Sequence, residues 1–155
     1  AAARGAEWRH VVRLHVLGEV YMRSAVHVFA RTLLSLAFIV LGWDAAREPG
    51  GRVKVVAALG IPRPDLAVRA NGSLMVASGA MLLLGIRPRA AALTLVALMV
   101  PTTLAGHPFW QVNDPQQRKG QRIHFLKNLS MIGGLLFVAL SGDRHDTACS
   151  SSRRR

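Results

Sequence analysis

Apolar and polar positions along this chain separate on the scale of whole segments rather than single residues. Four stretches, 32–43, 70–86, 90–113 and 128–142, contain no aspartate, glutamate, lysine or arginine, and each is bordered by such residues. Within 90–104 only Thr94, Thr102 and Thr103 interrupt Ala, Leu, Val, Met and Pro. No polar face recurs there at the 3.6-residue spacing that a helix of a soluble bundle shows. The pattern predicts an all-α fold: a transmembrane four-helix bundle, antiparallel and up-down.

The first gap is short for a bilayer, so the span is extended back to Ser24. Arg31 then stands near its start with the guanidinium reaching back to the headgroups. From there to Trp43 is about 20 residues, or roughly 30 Å of helix. Gly42 and Trp43 close it at the interface, where a tryptophan ring is at home. Arg69 and Arg87 bound the second span. Only Arg87-Pro88-Arg89 separates it from the third, which requires a tight helical hairpin. The fourth runs from His124 to Leu140 and carries Lys127 in its first turn. Pro101 inside the third span fits a helix in lipid, where proline is tolerated and often kinks the chain. Between spans one and two, Glu48-Pro49-Gly50-Gly51 breaks the chain, and 53–61 is too short to cross; it reads as a short interfacial helix.

Composition narrows the classes of function. The chain has 155 residues, 51% of them hydrophobic, with 20 Lys plus Arg against 8 Asp plus Glu. So much apolar surface excludes a disordered chain. The single cysteine, Cys149, excludes an internal disulfide, a CxxC redox pair and a thiolate-rich zinc site. The net charge of +12 would suggest nucleic acid, but the basic residues flank spans instead of forming one stripe, so no nucleic-acid partner is expected. The basic count is nearly balanced between the two faces. The Arg87/Arg89 turn and the basic ends tip the reading to cytoplasmic N and C termini, in a multi-pass protein of a bacterial plasma membrane.

Three regions are expected. Residues 1–23 form a basic N-terminal extension without the apolar core of a signal peptide. The first methionine is Met22, and Gly18-Glu19-Val20 before it can be encoded by a purine-rich run, so one reading starts translation there. Residues 24–142 hold the four-span domain. Residues 143–155, with three serines and three arginines at the end, read as a disordered basic tail.

Specific residues resemble a family at this point. Gly42-Trp43-Asp44-Ala45, Leu59-Gly60-Ile61-Pro62, Gly85 with Arg89-Ala90-Ala91, and His107-Pro108-Phe109-Trp110 are similar to segments of the small DoxX membrane proteins. So are Phe125-Leu126-Lys127-Asn128-Leu129 and Gly133-Gly134-Leu135-Leu136, and the resemblance spans roughly residues 24–141. It implies a four-helix transmembrane architecture. It also implies a membrane subunit of a redox or oxidative-stress related complex, since some DoxX-like proteins resemble a subunit of thiosulfate:quinone oxidoreductase and others are partners of soluble thiol-handling or superoxide-removing enzymes. Met75 departs from the family pattern where many relatives carry a glutamate or glutamine, which removes the intramembrane acid a proton relay would use.

An up-down bundle brings Asp44, Asn71, Thr102, Thr103, His107, Trp110, His124, Lys127 and Asn128 to one end. From these, His107, Trp110, Lys127, Asn128 and Asp44 are the candidate ligand-binding residues. Next to aromatic rings, His107 has the chemistry to hydrogen-bond a quinone carbonyl and to exchange a proton near neutral pH; the plainer alternative is an interfacial anchor with His107 capping a helix. Lys127 is expected to pair with Asp44 or to snorkel to headgroups, and Asn71 and Asn128 to make interhelical hydrogen bonds. No catalytic residue can be named, no metal site is expected, and no covalently bound cofactor is expected; quinone is the candidate non-covalent one. Gly72, Gly79, Ser130 and Gly134 allow close helix approach, within the bundle or in a homo-oligomer. Two other functions stay open: a small transporter or channel, and a scaffold whose Arg118, Lys119 and Arg122 bind anionic lipid or an acidic protein.

Overall fold

The computed structural model describes residues 2–141. The order is α1 (Ala2–Arg47), α2 (Arg52–Ala58), α3 (Pro64–Leu84), α4 (Pro88–Gly106), a 3-10 turn at Phe109–Gln111, and α5 (Pro115–Ser141). The described residues contain no strand. Four helices are long and apolar enough to cross a membrane, their spans being Leu17–Arg47, Pro64–Leu84, Pro88–Gln111 and Pro115–Leu140. At most 28% of the apolar 18-residue stretch in any of these spans is buried inside the protein. Leu33, Val40, Leu74, Leu84, Leu129 and Phe137 are among the large apolar side chains facing outward, an arrangement suited to lipid and the reverse of a soluble bundle.

Local chemistry sets the helix ends. Pro64, Pro88 and Pro115 each open a helix, at the position where a missing N–H costs nothing. Asp114 caps α5: its carboxylate accepts from the N–H groups of Gln116 at 3.4 Å and Gln117 at 3.1 Å. Gly85 ends α3 at φ +72°, a left-handed conformation suited to glycine. There the Ile86 N–H donates to Met81 O at 2.9 Å, and the Gly85 N–H to Leu82 O at 3.2 Å.

α1 begins at Ala2 rather than near Ser24. The stretch before Ser24 has four alanines and four arginines, which favour helix, and no proline to stop it. Absence of charge locates where a chain can cross a membrane and says nothing about where the helix starts. The expected tail, 143–155, lies outside the described residues.

The helices run alternately up and down, α1 packing most extensively on α3, α4 on α5, and α3 on α4. A core of Phe38, Leu82, Ala91, Ala92, Leu95, Met99, Leu135 and Ala139 fills the centre. Glycine sets the α1–α3 distance. A Cβ on Gly72 would lie 2.5 Å from Gly42 O and 2.7 Å from Ala46 N, and one on Gly79 would lie 3.0 Å from Ile39 Cγ1. Both glycines are buried against α1 of the same chain, so their close approach serves the bundle itself. Gly134 lies 3.9 Å from Leu34 by the same measure, and Ser130 is exposed with its hydroxyl donating to Leu126 O.

Candidate functional site

The end of the bundle formed by the C-terminus of α4, the 3-10 turn and the first half of α5 gathers the polar side chains. Gln121, His124, Phe125 and Asn128 fall at spacings of three, four and seven, which puts them on one stripe of α5. Gln121 and His124 both meet His107, Phe125 meets Phe109 and Trp110, and Asn128 meets Thr103.

His107 follows the last residue of α4, its N–H donating to Thr103 O at 3.1 Å. Its Nδ1 lies 2.7 Å from Gln121 Oε1. A hydrogen bond to that amide oxygen requires a proton on Nδ1, which in a neutral imidazole leaves the lone pair on Nε2. The ring of His124 stacks on that of His107, with centroids 5.2 Å apart and planes inclined by 19°. His107 is half-buried and His124 exposed. The imidazole of His107 is thus held by one hydrogen bond and one ring face at this end of the bundle.

Phe109, Trp110 and Phe125 form an edge-to-face triad. Phe109 lies 5.1 Å from Trp110 and 5.4 Å from Phe125, and Trp110 lies 5.9 Å from Phe125. Trp110 remains 53% exposed, so one face of the cluster is open to an adjacent ring or to lipid.

Asn128 donates to the Thr103 hydroxyl at 3.2 Å and so ties α5 to α4, with Thr103 buried. The other expected polar contacts take different forms. Asn71 donates to Met75 Sδ at 3.5 Å within its own helix. Lys127 and Asp44 are both exposed, and no ion pair joins them. Lys127 falls beside the α5 stripe rather than on it.

Two residues not singled out from the sequence take part. Gln121 positions His107; the signal was its place three residues before His124. Arg69 organises the α1 end. Its Nε donates to Asp65 at 2.9 Å, and its Nη1 to Ala46 O at 2.9 Å and Arg47 O at 3.2 Å, so it satisfies carbonyls that α1 leaves unpaired. The Asp65–Arg69 spacing of four announced the first contact but not the second. Among the described residues no group of three or more His, Cys, Asp or Glu side chains could hold a metal ion.

Four antiparallel spans, apolar outward and polar at one end, define a small multi-pass membrane protein. The DoxX family pattern matches residues 26–108, more than half of the chain, and the protein belongs to the DoxX family. The matched segment takes in His107 and stops before the α5 stripe. The chain is similar to inner membrane protein YphA of Escherichia coli (strain K12), 28% identical over 120 residues that cover 77% of this chain and 85% of that protein. No solved structure matches it.

Proposed function

We propose that this DoxX protein is the membrane subunit of a redox or oxidative-stress related complex, and that it binds a quinone headgroup at the His107 end of the bundle. The observation that supports the reading most is the held imidazole: Gln121 fixes Nδ1, His124 covers one ring face, and Nε2 is left to exchange a proton with a quinol hydroxyl. Trp110, exposed beside it, offers an aromatic edge to the headgroup at the depth where such headgroups lie. Asn128 sets the α4–α5 distance behind His107, while Lys127 and Asp44 add charge at the rim. In this reading the chain binds and exchanges protons, and electrons come from a soluble redox partner.

The test is the quinone content of protein purified in mild detergent from its native membrane, measured by organic extraction and chromatography. Stoichiometric quinone in the wild type that disappears in His107→Ala supports the proposal. Quinone at the lipid background in both proteins overturns it.

A further inference from the structure

Arg31 lies at the opposite end of the bundle from His107 and takes no part in that site. It sits within the first span, and its guanidinium rests on the turn between α3 and α4: a Cβ on Gly85 would lie 3.2 Å from Nη1, 3.3 Å from Nη2 and 3.4 Å from Cζ. The glycine that ends α3 therefore also makes room for the cation. Arg31 Nε is buried and has no hydrogen-bond partner. That donor is closed to an outside ligand, so an anion that answers this charge has to do so at the Nη groups beside the turn.

The chain supplies no such anion among its described residues. No ion pair there includes Arg31. Glu19 is twelve residues back along α1, about 18 Å along the axis. Asp44, Glu48, Asp65 and Asp114 belong to the other end, and Asp143 and Asp146, which follow α5 in the sequence, lie outside the described residues. Arg87 and Arg89 add positive charge just beyond Gly85, and both are exposed. Arg87 adopts φ 44°, an uncommon conformation for arginine.

We propose that the α3–α4 turn, with Arg31 beneath it and Arg87 on its rim, binds the phosphoryl group of a phosphate ester. A guanidinium offers a planar fork of donors that matches phosphoryl oxygens. The phospholipid headgroup and free phosphate share this chemistry, and the two are separated by experiment.

The full chain in detergent is titrated with dihexanoyl phosphatidylglycerol, with dihexanoylglycerol (chains without phosphate) and with inorganic phosphate (phosphate without chains), while the thermal unfolding midpoint is followed. Phosphatidylglycerol is expected to raise the midpoint saturably and dihexanoylglycerol not to. Arg31→Gln should weaken that binding about tenfold, as expected for loss of a charge-assisted contact. Arg118→Gln, at the other end, should leave it unchanged. An equal Arg31-dependent shift with inorganic phosphate alone supports the site and makes free phosphate its ligand. A midpoint shift that survives Arg31→Gln unchanged, or that dihexanoylglycerol reproduces, overturns the proposal. Should Arg31→Gln fail to fold, Arg87→Gln decides: about fivefold weaker binding supports the site, and unaltered affinity overturns it.

Discussion

The Nδ1 of His107 lies 2.7 Å from Oε1 of Gln121, fourteen residues further along the chain. This contact joins the end of α4 to the first half of α5 and sets which imidazole nitrogen is available. If Gln121 acts by positioning that ring, Gln121→Leu should weaken quinone binding about fivefold, the worth of roughly 1 kcal/mol for a neutral hydrogen bond. The same variant should leave thermal stability nearly unchanged. Titration of the purified protein with a short-chain quinone, set beside its unfolding midpoint, separates the two effects.

At Gly72 the constraint is steric. A methyl group would meet Gly42 O, Ala46 N and the carbonyl carbon of Ala45, all backbone atoms that cannot rotate away. Gly72→Ala should destabilise the bundle by about 1–3 kcal/mol. Gly133 provides the control, since a Cβ there would meet nothing within 4 Å. Gly133→Ala should be neutral or gain up to about 1 kcal/mol from helix propensity. Unfolding in mixed micelles with increasing denaturing detergent measures both.

The Asn128–Thr103 hydrogen bond links two helices within the membrane-crossing region. A double-mutant cycle with Asn128→Leu and Thr103→Val should give a coupling energy near 0.6 kcal/mol, the usual size for such bonds in membrane proteins. Zero coupling would show that the two side chains find other partners.

Arg69 makes three contacts from one guanidinium, to Asp65 on its own helix and to two carbonyls of α1. A lysine cannot reproduce the fork. Arg69→Lys should therefore lose nearly as much stability as Arg69→Met, a few tenths to about 1 kcal/mol because the group is partly exposed. Full rescue by lysine would show that charge alone matters there.

The gaps between charged residues carried the architecture, because lipid excludes ions wherever a chain crosses and the resulting silence is long enough to read. They could not find the start of α1, since a helix continues through Arg23 and Met22 whether or not lipid surrounds it. Topology alone placed His107, Trp110 and Asn128 at a common end. Their partners depend on helical phase: Gln121, His124, Phe125 and Asn128 share a stripe visible in their spacing, whereas Lys127 falls to one side and does not meet Asp44. Gly72 and Gly79 show a different limit. Small residues at intervals of seven announce a close approach, but whether the neighbour belongs to the same chain is decided by the path of α1, which no local pattern encodes.

The central claim is that a quinone headgroup docks beside His107, and Trp110 can report it. With Trp8 and Trp43 replaced by phenylalanine, Trp110 is the only tryptophan left, and its fluorescence is followed in lipid nanodiscs during titration with a quinone. Saturable quenching that His107→Ala reduces to the weak linear slope of lipid partitioning is the predicted result. Linear, non-saturating quenching of equal slope in both proteins would contradict the account.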